Sequence, residues 1–268
     1  MALPEPSNSA TALVTGASAG IGEAIAHQLA ARGHGVTLVA RREDRLRVLA
    51  DELSKKHGVR AEPIAADLAD AAARDRLEGQ IDELGLVVEV VVNNAGFGGS
   101  GNLAESDRER LVQMVELNAV ALLDFQARYL PAMVERGRGA VINIASTAAF
   151  QPIPGTATYA ATKAFVLSLS EAVHEELKGT GVTLTAVCPG PVKTEFTQAA
   201  GLEQAEERTP DFVWMSAEDV ARVAVDAAEK GKRAIVPGLL NRVGAITGQH
   251  SPRTLALPFV RRVWRQSL

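Results

Sequence analysis

Short apolar runs alternate along the chain with longer stretches whose apolar residues recur at helical spacing. Ala12–Thr15, Gly35–Ala40, Ala61–Ala65, Val87–Val92, Gly139–Ala145, Val182–Cys188 and Ala234–Pro237 read as seven strands. Several are apolar throughout, the pattern of strands buried on both faces. Between them, Ile21, Ile25 and Leu29 mark one helix and Leu46, Leu49 and Leu53 a second. A polar helix is predicted over Ala71–Leu84, a long one over Glu105–Arg136, one carrying Tyr159 and Lys163, and one opened by the capping pattern Ser216–Asp219 and running to Glu229. Strand and helix in strict alternation predict an α/β fold: one doubly wound domain with a mainly parallel seven-stranded sheet and helices on both faces. Residues 1–9 are expected to be a flexible tail and 10–249 the domain, with a polar irregular stretch at about 194–215 as a substrate lid. Residues 250–268 form a separate short segment.

Charge and composition narrow the class. With 268 residues, 28 basic and 32 acidic side chains and a net charge of -4, the chain can bury a full core and lacks the basic excess of nucleic-acid-binding proteins. Cys188 is its single cysteine, so no intrachain disulfide forms, and its apolar surroundings predict a buried thiol in a reducing, cytoplasmic compartment. No apolar run approaches the ~20 residues of a membrane span. No His/Cys/Asp cluster has metal-ligand spacing, so no metal is expected.

Two patterns carry chemistry. Gly16, Ser18, Gly20, Ile21 and Gly22 form a G-x-x-x-G-x-G turn between the first strand and first helix, where missing side chains and a helix N-terminus suit a pyrophosphate. The second strand ends at Ala40, where an acid would bind the ribose hydroxyls of NAD; Arg41 and Arg42 follow instead, which favours a 2′-phosphate and hence NADP(H) over mere decoration of a helix start. The Ala17-Ser18-Ala19 stretch carries no second basic residue. Further on, Tyr159 and Lys163 stand four apart on one helical face, where the ammonium should lower the phenol's pKa.

Together with Asn93-Asn94-Ala95-Gly96, Asn118 and Ser146, these patterns resemble the short-chain dehydrogenase/reductase family over nearly the whole chain. The resemblance implies a Rossmann-type domain and a catalytic tetrad of Asn118, Ser146, Tyr159 and Lys163. In it Tyr159 gives the proton, Ser146 orients the substrate oxygen, Lys163 tunes the phenol and holds the nicotinamide ribose, and the Asn118 backbone carbonyl holds a water linking the lysine to solvent. It further implies that Asp67 accepts the adenine amino group beside Leu68, although an Asp after a strand also suits a helix N-cap. Asn94, Ala95 and Gly96 would run along the ribose, the Pro189-Gly190 turn would close on the nicotinamide, and Val192 and Thr194 would bind its carboxamide. A homodimer or homotetramer built on the helices before and after Ser146 is also implied.

Apolar residues Phe97, Ala148, Phe150, Pro152, Ile153, Pro154, Phe196, Phe212 and Trp214 are expected at the substrate mouth. The stretch Val236–Asn241 with Ser251-Pro-Arg253 resembles the branch holding long-chain 3-oxoacyl reductases and 17β-hydroxysteroid dehydrogenases. A long-chain 3-oxoacyl substrate is the first expectation, and a steroid, retinoid or other hydrophobic alcohol or ketone the second. A non-catalytic NADP(H)-binding regulator is the alternative of another class. The terminal segment is basic and amphipathic, which fits a peripheral membrane contact, packing on its own domain or packing on another subunit.

Overall fold

The computed structural model describes residues 3–199, 201 and 213–265. Its seven strands are β1 Ala10–Thr15, β2 Val36–Ala40, β3 Ala61–Ala65, β4 Val87–Asn93, β5 Gly139–Ile144, β6 Val182–Val187 and β7 Ala234–Ile235. They form one sheet in the order β3-β2-β1-β4-β5-β6-β7, with every described pairing parallel. The first three strands run outward in one direction from β1 and the last four in the other. The crevice at the C-terminal ends of β1 and β4 is therefore the topological switch point, where ligands bind in open α/β sheets.

Helices cover both faces because the strands are apolar on both. On one side α1 (Gly20–Ala30), α2 (Glu43–His57) and the later helix Ala217–Glu229 bury Ile25, Leu29, Leu46, Leu53 and Val220 against Val14, Leu38 and Ile142. On the other, α3 (Ala71–Glu83) and the helix Ala121–Arg136 bury Leu77, Ile81, Phe125 and Met133 against Leu13, Val91 and Leu184. Each such fully buried side chain contributes about 1.5–3 kcal/mol relative to exposure.

Three expectations are corrected. The helix predicted over Glu105–Arg136 is α4 (Arg108–Val115) and α5 (Ala121–Arg136), separated by a π turn at Glu116–Val120 that contains Asn118; Asp107 caps α4 by accepting from Arg110 N–H. Asp67 is not a helix cap: its carboxylate accepts from Ala69 N–H in a turn, and Asp70 caps α3. The last strand is shorter than predicted and ends at Ile235, because Pro237 carries no N–H and the chain turns at Gly238 into a helix.

Beyond β6 the backbone at Pro191–Lys193 lies beside Met215. Val192 bridges to Met215 there, and Lys193 N–H and Met215 N–H donate to Met215 O and Pro191 O. The predicted lid is thus an excursion closed at its base, beginning with the short helix α7 (Phe196–Ala199). Its residues 200 and 202–212, Phe212 among them, lie outside the described residues. The chain continues with α6 (Ala157–Glu176) before β6, and with α8 (Ala217–Glu229), α9 (Leu239–His250) and α10 (Arg253–Arg265) after the excursion. Arg253 donates to Gly248 O and Phe150 O, which fixes the start of the terminal helix to the domain. Among the described residues no helix is long and apolar enough to cross a membrane.

Candidate active site

The glycine turn is held from below by side chains locked to backbone. Thr15 Oγ1 donates to Val92 O at 3.0 Å and accepts from the N–H groups of Asn94 and Ala95 at 2.9 and 3.0 Å. The Asn94 amide donates in turn to Thr15 O and Gly16 O. This ties the end of β1 to the end of β4, and it requires Gly22. A Cβ there would lie 2.4 Å from both Asn94 Nδ2 and Gly16 O, closer than atoms can approach. Gly16 adopts φ +66°, a conformation open to glycine. Ala19, at the N-cap of α1, offers no side-chain cap, so the first N–H groups of that helix face the cleft without an internal acceptor. A bare helix N-terminus beside a glycine cradle fits a pyrophosphate.

The end of β2 brings basic groups to the same cleft. Arg42 donates from Nε and a terminal nitrogen to Ser18 Oγ at 3.1 and 3.0 Å, binding the start of α2 to the glycine turn. Arg41 is exposed beside it, and Asp67 and Leu68 line the cleft next to them.

At the far end, β5 delivers Ser146, whose Oγ accepts from Ala148 N–H and is hydrogen-bonded to the Tyr159 phenol. Helix α6 presents Tyr159 and Lys163 one turn apart. The Lys163 ammonium donates to Ile144 O at 2.8 Å and lies 5.8 Å from the centre of the Tyr159 ring. The expected lowering of the phenol's pKa is not found in the free chain. Burial pushes Tyr159 up to about 12, against the pull of the Ser146 hydrogen bond. Burial likewise brings Lys163 down to about 8, with the nearby Cys188 acting in the opposite sense. The spacing put the cation near the ring, but desolvation dominates, and the ammonium is spent on a backbone carbonyl.

Asn118 is buried behind Tyr159 and Lys163. Its amide accepts from Phe97 N–H at 3.0 Å and donates to Phe97 O at 2.9 Å and Thr162 Oγ1 at 3.2 Å. The loop after Gly96 is thereby clamped to the π turn on one side and to α6 on the other. A π turn takes a carbonyl off the regular helical ladder, and such turns are frequent at functional sites.

Eighteen of the twenty site residues expected from the sequence line one cleft of about 630 Å³, among them Pro189, Gly190, Val192 and Thr194. Gly22 and Asn118 do not; they stand behind the wall as its supports. Phe97, Ala148, Ile153, Phe196 and Trp214 line the same cleft, joined by Leu117. Phe150 instead packs against the core around Leu122 and Val166, and Pro152 and Pro154 are not part of the lining. Residues missed in the sequence are Asn143 and Ser170: Asn93 donates to Asn143 Oδ1, and Asn143 donates to Ser170 on α6, a buried chain from β4 to the helix that carries Tyr159 and Lys163. An Asn inside an apolar strand was the available signal.

The short chain dehydrogenase family model matches residues 10–205, and the chain belongs to that family. Among its relatives, a putative ketoacyl reductase of Streptomyces coelicolor is 33% identical over 255 residues, 89% of this chain and 97% of that protein. A very-long-chain 3-oxoacyl-CoA reductase of Bos taurus is 35% identical over 191 residues, 70% of this chain and 61% of that one. A solved short-chain dehydrogenase of Sphingobium yanoikuyae, in complex with NADPH, superposes with a TM-score of 0.79 at 32% identity over 96% of each chain.

Proposed function

We propose that this chain is an NADP(H)-dependent oxidoreductase that reduces a hydrophobic carbonyl compound, with a long-chain 3-oxoacyl compound as the substrate. The observation that carries the reading is one cleft with an anion cradle and Arg41 and Arg42 at one end and Tyr159 bonded to Ser146 at the other. Bound NADPH supplies the hydride. As hydride reaches the carbonyl carbon, negative charge grows on the oxygen, and a donor must meet it. The Tyr159 hydroxyl gives that oxygen its proton, while the Ser146 hydroxyl donates a hydrogen bond and holds it in line. Lys163, when charged, stabilises the phenolate left behind and the ribose beside it. Arg41 and Arg42 hold the 2′-phosphate, and the glycine turn holds the pyrophosphate.

The apolar reacting end, formed by Phe97, Leu117, Ile153, Phe196 and Trp214, supports an acyl chain, as do the reductase activities named for the Streptomyces and bovine relatives. Purified protein oxidising NADPH with long 3-oxoacyl thioesters and not with small polar ketones supports this substrate; the reverse preference rejects it. Turnover of steroid or retinoid carbonyls alone would keep the reaction and change the substrate.

Two partner readings belong to the same proposal. Val112, Val115, Val120, Leu123 and Phe165 are exposed on the helices before and after Ser146, which supports a homodimer through that face. At the other end, Glu229 is the last acid of the chain: residues 1–229 carry a net -12 and residues 230–268 a net +8. Helix α9 exposes Leu239, Leu240, Val243 and Ile246 within that basic stretch, which supports a cytoplasmic protein touching an anionic membrane surface. Co-sedimentation with phosphatidylglycerol vesicles at low salt, and its absence with neutral vesicles, is the expected result.

A further inference from the structure

The glycine turn adds no cation to Arg41 and Arg42 for a 2′-phosphate, yet a further guanidinium arrives from elsewhere. Arg45 stands three residues beyond Arg42 on the first turn of α2. Arg42 donates to Glu195 Oε2 at 2.6 Å and Arg45 to Glu195 Oε1 at 2.6 Å. Two cations from one helix start thus converge on the two oxygens of one carboxylate, which comes from a segment 150 residues away. Glu195 is part of the cleft lining, beside Arg42 and Thr194, whereas Arg45 lines the adjoining pocket and reaches the cleft through Glu195. The two arginines in turn hold its carboxyl below the usual carboxylate range.

We infer that Arg45 joins Arg41 and Arg42 as a third cation of the 2′-phosphate site and that Glu195 holds the phosphate's place until the cofactor enters. A phosphate monoester offers three acceptor oxygens and nearly two negative charges, against two oxygens and one charge for a carboxylate, so both arginines gain by the exchange. The like charges also repel, and Glu195 is driven off as the phosphate arrives. A cofactor without that phosphate leaves the Glu195 ion pairs standing and draws nothing from Arg45.

The exchange reaches the other end of the cleft. Glu195 is followed by Phe196, whose ring centre lies 5.6 Å from that of Tyr159, and it opens the excursion between Val192 and Met215. Releasing Glu195 therefore removes a tie next to Phe196, beside Tyr159. The inference rests on the placement of the 2′-phosphate at Arg41 and Arg42 in the proposed function.

The test uses the full chain and two ligands that lack nicotinamide, adenosine 2′,5′-bisphosphate and adenosine 5′-monophosphate, titrated calorimetrically at low salt. Glu195→Gln is expected to bind the bisphosphate about fivefold more tightly than the parent, as loss of one competing surface ion pair allows, with the monophosphate unchanged. Arg45→Met is expected to weaken the bisphosphate about tenfold and to leave the monophosphate unchanged. Glu195→Gln binding the bisphosphate equally or more weakly, or Arg45→Met shifting both ligands alike, overturns the inference. An Arg42→Met variant separates the two levels. If it too leaves the bisphosphate untouched, the placement of the phosphate fails; if it alone weakens binding, only the roles of Arg45 and Glu195 fail.

Discussion

At the glycine turn of the cleft nearly every contact is made by backbone, or by side chains tied to backbone. Thr15 and Asn94 each bridge β1 to β4, and Gly22 leaves no room for a single added carbon. At the substrate end the walls are side chains on loops and on the excursion from Val192 to Met215, with Phe196 and Trp214 facing Phe97, Leu117 and Ile153. The first region has one solution, because its residues are selected by what a backbone can tolerate. The second keeps its apolar character under many substitutions, because any large apolar group can cover an acyl chain. The difference teaches why cofactor chemistry reads clearly here while the substrate is inferred from wall character.

The sharpest way to separate chemistry from binding is Tyr159→Phe. It should lower kcat by about 10³-fold while NADPH affinity, measured by fluorescence, stays within about twofold. Equal losses in both would make Tyr159 a cofactor clamp and blur the two ends.

Next in size is Asn118→Ala, which strips partners from Phe97 N–H, Phe97 O and Thr162 at once. Unmet buried polar groups cost about 1–3 kcal/mol each, so urea unfolding should show a loss of at least about 3 kcal/mol together with a fall in kcat. Gly22→Ala tests the rigidity of the adenosine end. Overpacking against Asn94 and Gly16 should cost about 1–3 kcal/mol and weaken both NADPH and NADH. The matching change at the other end, Ile153→Ala, should leave cofactor affinity alone and alter KM for long substrates more than for short ones.

The smallest effect is a pH limb. Lys163 loses its proton as pH rises through about 8, so the charged fraction falls about tenfold per unit above that value. The kcat/KM for reduction should be level below about pH 7 and decline beyond 8; Lys163→Arg, charged throughout, should remove the decline from whatever activity remains. A profile in the parent that is flat to pH 10 would detach Lys163 from the reaction.

What could be read in the sequence follows the same division. The spacing of Gly16, Gly20 and Gly22, the Arg41-Arg42 pair after Ala40, and the Tyr159–Lys163 interval each act through local geometry, and local geometry is written in order along the chain. The π turn at Asn118 was not legible, since the uninterrupted apolar run Ala119–Leu123 hides a one-residue shift of phase and no Gly or Pro marks it. Nor could Asp67 be told from Asp70 as the cap of α3, because either stands before a helical pattern. The direction of the Tyr159 shift needed depth: spacing shows that Lys163 is near but not that both groups are buried or that the ammonium is bonded to Ile144 O. Glu195 was unreadable for the opposite reason, because its partners lie about 150 residues away.

The central claim is tested most directly by following NADPH oxidation by the purified chain against 3-oxoacyl thioesters of graded length, with NADH as the control cofactor and Tyr159→Phe as the control protein. The account predicts activity that rises with acyl length, prefers NADPH and disappears in the variant. Equal use of NADH, or a preference for short polar ketones over every long acyl substrate, would contradict it.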